Sequence, residues 1–222
     1  MFAQLLSQAR RLALFLLSLY ILPLLFLFVL VVASLQTDIA IGIFLRDLAA
    51  TAKVPPYTGM ASNIGVILWT ATMTVCLFGW SILRHSQEQK RFSAFLLYSG
   101  LLTLLLMLDD FFLLHEAVFN VYFGVPEKGF YLAYLGLVLY GGAAFRKCIL
   151  KTEYLILLIA LGFFGLSIFT DAIQYRIEPI IGFWRILFED GFKLLGIVSW
   201  LGYFYRCTIS QIKDTSDAAL HR

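Results

Sequence analysis

Long uncharged runs recur along the chain with little in between. Six of them, at residues 12–36, 63–83, 92–119, 130–145, 154–175 and 183–205, approach or exceed the ~20 apolar residues that span a bilayer. Lipid offers no partner to a stray backbone amide, so each run is predicted to be helical. The ten-residue alternation of an outer-membrane barrel is absent. Residues 38–53 are too short and too polar to cross. Ile39, Ile43, Leu45 and Leu48, set beside Arg46 and Asp47, predict a short interfacial helix between the first two spans, and Val54-Pro55-Pro56 closes it. The expected fold class is therefore all-α, a polytopic integral membrane protein of six transmembrane helices forming one bundle domain over residues 1–222.

Composition sharpens the picture. Hydrophobic residues make up 61% of the chain and charged residues 14%, against about 45–50% and about 25% in soluble domains. Disorder, a secreted disulfide scaffold and a nucleic-acid module are all disfavoured, the last because the net charge is only +3. The bilayer itself is the expected partner. Of the 17 basic residues, eleven flank the spans on one side, among them Arg10, Arg11, Lys90, Arg91, Arg146 and Lys147. The other side has five, and Lys193 lies inside the last run. The positive-inside rule then predicts both termini in the cytoplasm. The first run exceeds the 7–15 residues of a cleavable signal core, so it reads as an uncleaved helix. The three cysteines lack the C-x-x-C spacing of a zinc site.

Ionisable residues inside spans are costly, and their positions carry information. The third run contains Asp109, Asp110, His115 and Glu116; the fifth ends in Thr170-Asp171; the sixth opens with Glu189, Asp190 and Lys193. With alternating span directions, all three stretches fall in the outer half of the bilayer. At about 1.5 Å per residue, Glu116, Asp171 and Glu189 lie roughly 5–10 Å below the surface. Asp109, Asp110 and Lys193 lie at about 15 Å by the same rise. On a continuous helix Asp109 and Glu116 share one face. Lys193 is expected to form an intramembrane ion pair, with Asp109 or Asp110 at matching depth on the third run or with Asp190 or Glu189 on its own helix.

Three chemistries fit such a cluster. His115, Glu116, Asp171 and Glu189 are candidate ligands for a divalent metal (zinc, manganese or iron), with Asp109 or Asp110 as general base. That arrangement would be a one-sided hydrolase acting on a lipid ester or amide. An Asp/Glu/His chain is also the material of a proton or cation channel or transporter. Below Asp109 the third run continues Leu104-Leu105-Leu106-Met107-Leu108, so a pore there would need a hydrophobic gate or backbone lining, which favours a one-sided site. Lastly, the acids can form a structural ion-pair network with Lys193, Arg185 and Arg176 in a membrane scaffold or accessory protein. Alkaline ceramidase-type membrane hydrolases carry paired histidines on one helix; here only His115 lies within a run. Glu-x-x-His of di-iron bundles and His-Glu-x-x-His of zincins are also missing. The residues assign no family.

Overall fold

The computed structural model describes residues 2–46, 48–114, 118–124, 126–182 and 184–220. Asp47, His115 and Glu116, named above, and Phe183, the first residue of the sixth run, lie outside them. Every regular element among the described residues is helical: α1 (Phe2–Thr37), α2 (Ile41–Leu45), α3 (Leu48–Ala52), α4 (Met60–Leu83), α5 (Lys90–Phe112), α6 (Phe119–Phe123), α7 (Glu127–Ala144), α8 (Arg146–Ile149), α9 (Tyr154–Ala172), α10 (Gln174–Ile181) and α11 (Trp184–Leu220).

Four helical segments among the described residues are long and apolar enough to cross a membrane: Leu12–Thr37, Met60–Leu83, Lys90–Phe112 and Tyr154–Ala172. The first has 26 residues, about 39 Å at 1.5 Å per residue, against a hydrocarbon core of about 30 Å. The fourth expected span corresponds to the shorter apolar helix Gly129–Ala144. The sixth corresponds to α11, whose 37 residues open with the charged side chains of Arg185, Glu189, Asp190 and Lys193.

The chain divides into two compact units, Met1–Thr58 and Gly59–Arg222. In the first, α1 continues through Pro23 and exposes apolar side chains all round, including Leu14, Phe15, Leu22 and Phe28. A helix apolar on all sides suits burial or contact with lipid. In place of one interfacial helix, the following segment forms the two one-turn helices α2 and α3. Arg46, in extended conformation, ends α2.

The second unit is built around α11, which packs against α9 and α4, while α4 also packs against α5. Trp69 of α4 stacks on Phe164 of α9 at 5.6 Å and meets Trp200 of α11 edge-on at 6.4 Å. Trp200 and Phe204 meet edge-on in turn at 5.0 Å. A buried hydrogen-bond hub crosses these rings: Trp200 Nε1 donates to Thr103 Oγ1 at 3.0 Å, and Thr103 donates to the Ser99 carbonyl at 2.7 Å. The indole N–H, unable to bond to lipid or to an aliphatic neighbour, is thereby satisfied. Gly79 sets the approach of α4 to α11. A Cβ there would lie 2.5 Å from Thr208 Cγ2, so a small residue is what lets the backbones come together. Tyr98 ties α7 to α5 by donating to the Leu137 carbonyl at 2.6 Å.

Two expected helix limits change. The third span was drawn to residue 119, but α5 ends at Phe112, where Leu113 adopts φ 51° and caps the helix by donating to the Asp109 carbonyl. A side chain with a Cβ reaches this left-handed region at a cost of about 1–2 kcal/mol. The helical face expected to carry both Asp109 and Glu116 presupposed a helix running past Phe112, where α5 ends; Glu116 itself lies outside the described residues. Similarly, the fifth span, drawn to residue 175, ends at Ala172, and Gln174 begins α10.

Candidate functional site

The polar cluster is assembled from the C-terminal ends of α5 and α9, the short α10, and the first turns of α11. Lys193 Nζ of α11 donates to Asp110 Oδ1 of α5, forming an ion pair between helices. Asp110 is 10% exposed at its side chain. Gly65 of α4 backs the pair: a Cβ there would stand 4.0 Å from Asp110 Oδ2 and 3.2 Å from Ile197. The ammonium is therefore met by a carboxylate where three helices converge.

Asp109, the neighbouring carboxylate, is nearly inaccessible at 4% exposure. It points elsewhere, because successive helical positions diverge by about 100°. The Tyr134 hydroxyl of α7 lies close enough to interact with it. Arg185, at the start of α11, serves two acids. Its Nη1 donates to Glu189 one turn on, and its Nε lies 3.8 Å from Glu178 of α10. Asp171 accepts from Gln174 Nε2 at 3.2 Å across the α9–α10 junction. Asp190 is exposed.

Five carboxylates are thus brought together with partners of another type: Asp109 with Tyr134, Asp110 with Lys193, Asp171 with Gln174, and both Glu178 and Glu189 with Arg185. Low-dielectric surroundings make an unpaired charge expensive, and the least exposed acid of these ion pairs, Asp110, meets the Lys193 ammonium, whereas Glu178 and Asp190 are open to the surface. Among the described residues, no three His, Cys, Asp or Glu side chains come together as a metal-ligating group. Of the four candidate ligands, Asp171 and Glu189 are engaged as above, while His115 and Glu116 lie outside the described residues. Asp109 and Asp110, the candidate bases, face Tyr134 and Lys193 respectively.

Several participants leave little trace in the sequence. Tyr134 sits in an apolar run where a tyrosine ordinarily reads as an interface anchor. Gln174 and Glu178 belong to a helix that emerges only where α9 stops. The i,i+4 spacing of Arg185 and Glu189 was the one available signal.

No curated protein and no solved structure matches this chain. A family model described as a domain of unknown function (DUF8692) matches residues 12–207, and the chain belongs to that family.

Proposed function

We propose that this chain is a multi-pass membrane scaffold or accessory protein whose polar cluster is a charge-compensated helix lock. It has six spans, both termini in the cytoplasm, and the lock lies in the outer half of the bilayer. The observation that carries the reading is the Lys193–Asp110 pair. It joins the ends of two helices far apart in sequence and removes both charges from competition for a ligand. The surrounding pairs on Arg185, Tyr134 and Gln174 support it in the same sense. A buried ion pair contributes little net stability but penalises any packing that separates its members. Such a device fixes which helix ends meet, which is what a scaffold requires.

The metal-dependent lipid hydrolase is the competing reading. It asks Asp171 and Glu189 to leave Gln174 and Arg185 and to join His115 and Glu116 around one ion. Metal analysis of the detergent-purified full chain separates the two. The lock predicts substoichiometric zinc, manganese and iron, unchanged by His115→Ala or Asp171→Asn. One divalent ion per chain, lost in both variants, would establish the metal site instead. Proton flux into liposomes that falls with Asp110→Asn would establish the channel.

A further inference from the structure

About 20 Å along α11 from Lys193, at 1.5 Å per residue, the helix carries a second polar feature. A cleft of about 300 Å³ opens between the α8–α9 connection and α11, with Lys151, Thr152, Glu153, Tyr203, Arg206 and Ser210 on its walls. Ligand sites commonly begin near this volume, about 300–1,000 Å³.

The walls divide into a fixed part and an available part. Thr152 donates to the Ile149 carbonyl at 2.7 Å, so its contact with the Tyr203 hydroxyl at 2.9 Å has tyrosine as donor. Those two hydroxyls are spent on each other. Glu153 grips Arg206 from one edge, accepting from Nε and, at 2.6 Å, from Nη2. A guanidinium has five N–H donors in a planar fork. With two committed to Glu153, those of Nη1 face the opposite edge. Lys151 and Ser210 are exposed beside it. Two cations against one carboxylate leave a single positive charge, the complement of a phosphodiester.

An apolar groove of about 60 Å³ adjoins these same elements, lined by Leu102, Val138, Gly142, Leu157, Leu161 and Phe204 among others. Ile149 lines the groove two residues before Lys151 lines the cleft. On α11, Phe204 lines the groove directly after Tyr203 and one turn before Cys207, which line the cleft. A charged recess and an apolar one whose linings interleave along α11 offer the two kinds of surface that an amphipathic ligand carries.

We propose that the cleft and the groove together bind one phospholipid, its phosphodiester on Arg206 and Lys151 and one hydrocarbon chain between α7 and α9. Glu153 is a positioning residue that holds the Arg206 fork in place. Native mass spectrometry of the full chain in detergent tests this with dioleoyl phosphatidylglycerol, dioleoylglycerol and inorganic phosphate as probes. Phosphatidylglycerol should bind one to one. Arg206→Gln and Lys151→Gln should each weaken it by about tenfold, the loss of a charge-assisted hydrogen bond. Both residues are exposed, so the variants should fold. Gly142→Leu should weaken it similarly by filling the groove, since a Cβ at Gly142 meets no atom within 4 Å. Equal binding of dioleoylglycerol would remove the phosphate from the proposal and overturn it. So would unchanged affinity in both charge variants or in Gly142→Leu. Inorganic phosphate binding as tightly as the lipid would make the cleft a site for small phosphates instead.

Discussion

The Lys193 ammonium rests on the Asp110 carboxylate although 83 positions separate the two residues in the chain. The adjacent aspartate, one position earlier on the same helix, is turned to Tyr134. Two neighbouring acids therefore have different partners on different helices, and the polar cluster is a set of distinct pairs rather than one shared pool of negative charge.

Topology is testable through the loops. In a Cys148→Ser background, which removes the half-buried native thiol and leaves Cys76 and Cys207 buried, a cysteine placed at Glu127 should react with a membrane-impermeant thiol reagent in intact cells. One placed at Gln87 should not. Reversed labelling would invert the orientation, and labelling at both positions would break the six-span count.

Close helix packing at Gly79 makes a stability prediction. Gly79→Ala puts a methyl 2.5 Å from Thr208 Cγ2 and 2.9 Å from Leu96 Cδ1, so α4 must move. Overpacking of this kind costs about 1–3 kcal/mol. Gly136→Ala, whose Cβ meets nothing within 4 Å, should be neutral or slightly stabilising through helix propensity. Thermal unfolding in detergent compares the two, and equal midpoints would refute the packing argument.

The Glu153–Arg206 pair predicts a titration. Hydrogen bonding from the guanidinium, together with its charge, holds the Glu153 carboxyl below its ordinary value. A depressed folded pKa means that the pair's contribution is present above the unfolded pKa of about 4.3 and is lost as pH falls through the folded value. Carbon-13 NMR of the labelled carboxylate should show a midpoint below that of free glutamate. Arg206→Gln should raise it toward the ordinary value. A midpoint unaffected by Arg206→Gln would show that the pair does not form in solution. Both side chains are exposed, so global stability should hardly change.

Long uncharged runs make the helices legible in the sequence, because in lipid backbone hydrogen bonding leaves few other solutions. The approach of Asp110 on the third run to Lys193 on the sixth is legible too, from their matching distance along the runs. The partner of each acid is a different matter. Matching depth left Asp109 and Asp110 equivalent for Lys193; the rotation of α5 against α11, where Trp200 Nε1 donates to Thr103 Oγ1, distinguishes them. Nor does anything in Phe111-Phe112-Leu113-Leu114 announce a helix end. The left-handed turn at Leu113 falls on a residue that favours helix intrinsically, and so tertiary structure overrides local preference there. Tyr134 is hidden for a related reason, since its hydroxyl matters only once α7 is laid against α5.

A double-mutant cycle on the lock tests the central claim most directly. Lys193→Met should cost about 3 kcal/mol in the folded full chain, the low end of the range of about 3–5 for leaving a buried charge unpaired, because Lys193 keeps 38% of its side chain exposed. Adding Asp110→Asn should recover most of that loss, while adding Asp109→Asn should recover none. Rescue by Asp109→Asn, or failure of Asp110→Asn to rescue, would contradict the pairing on which the account rests.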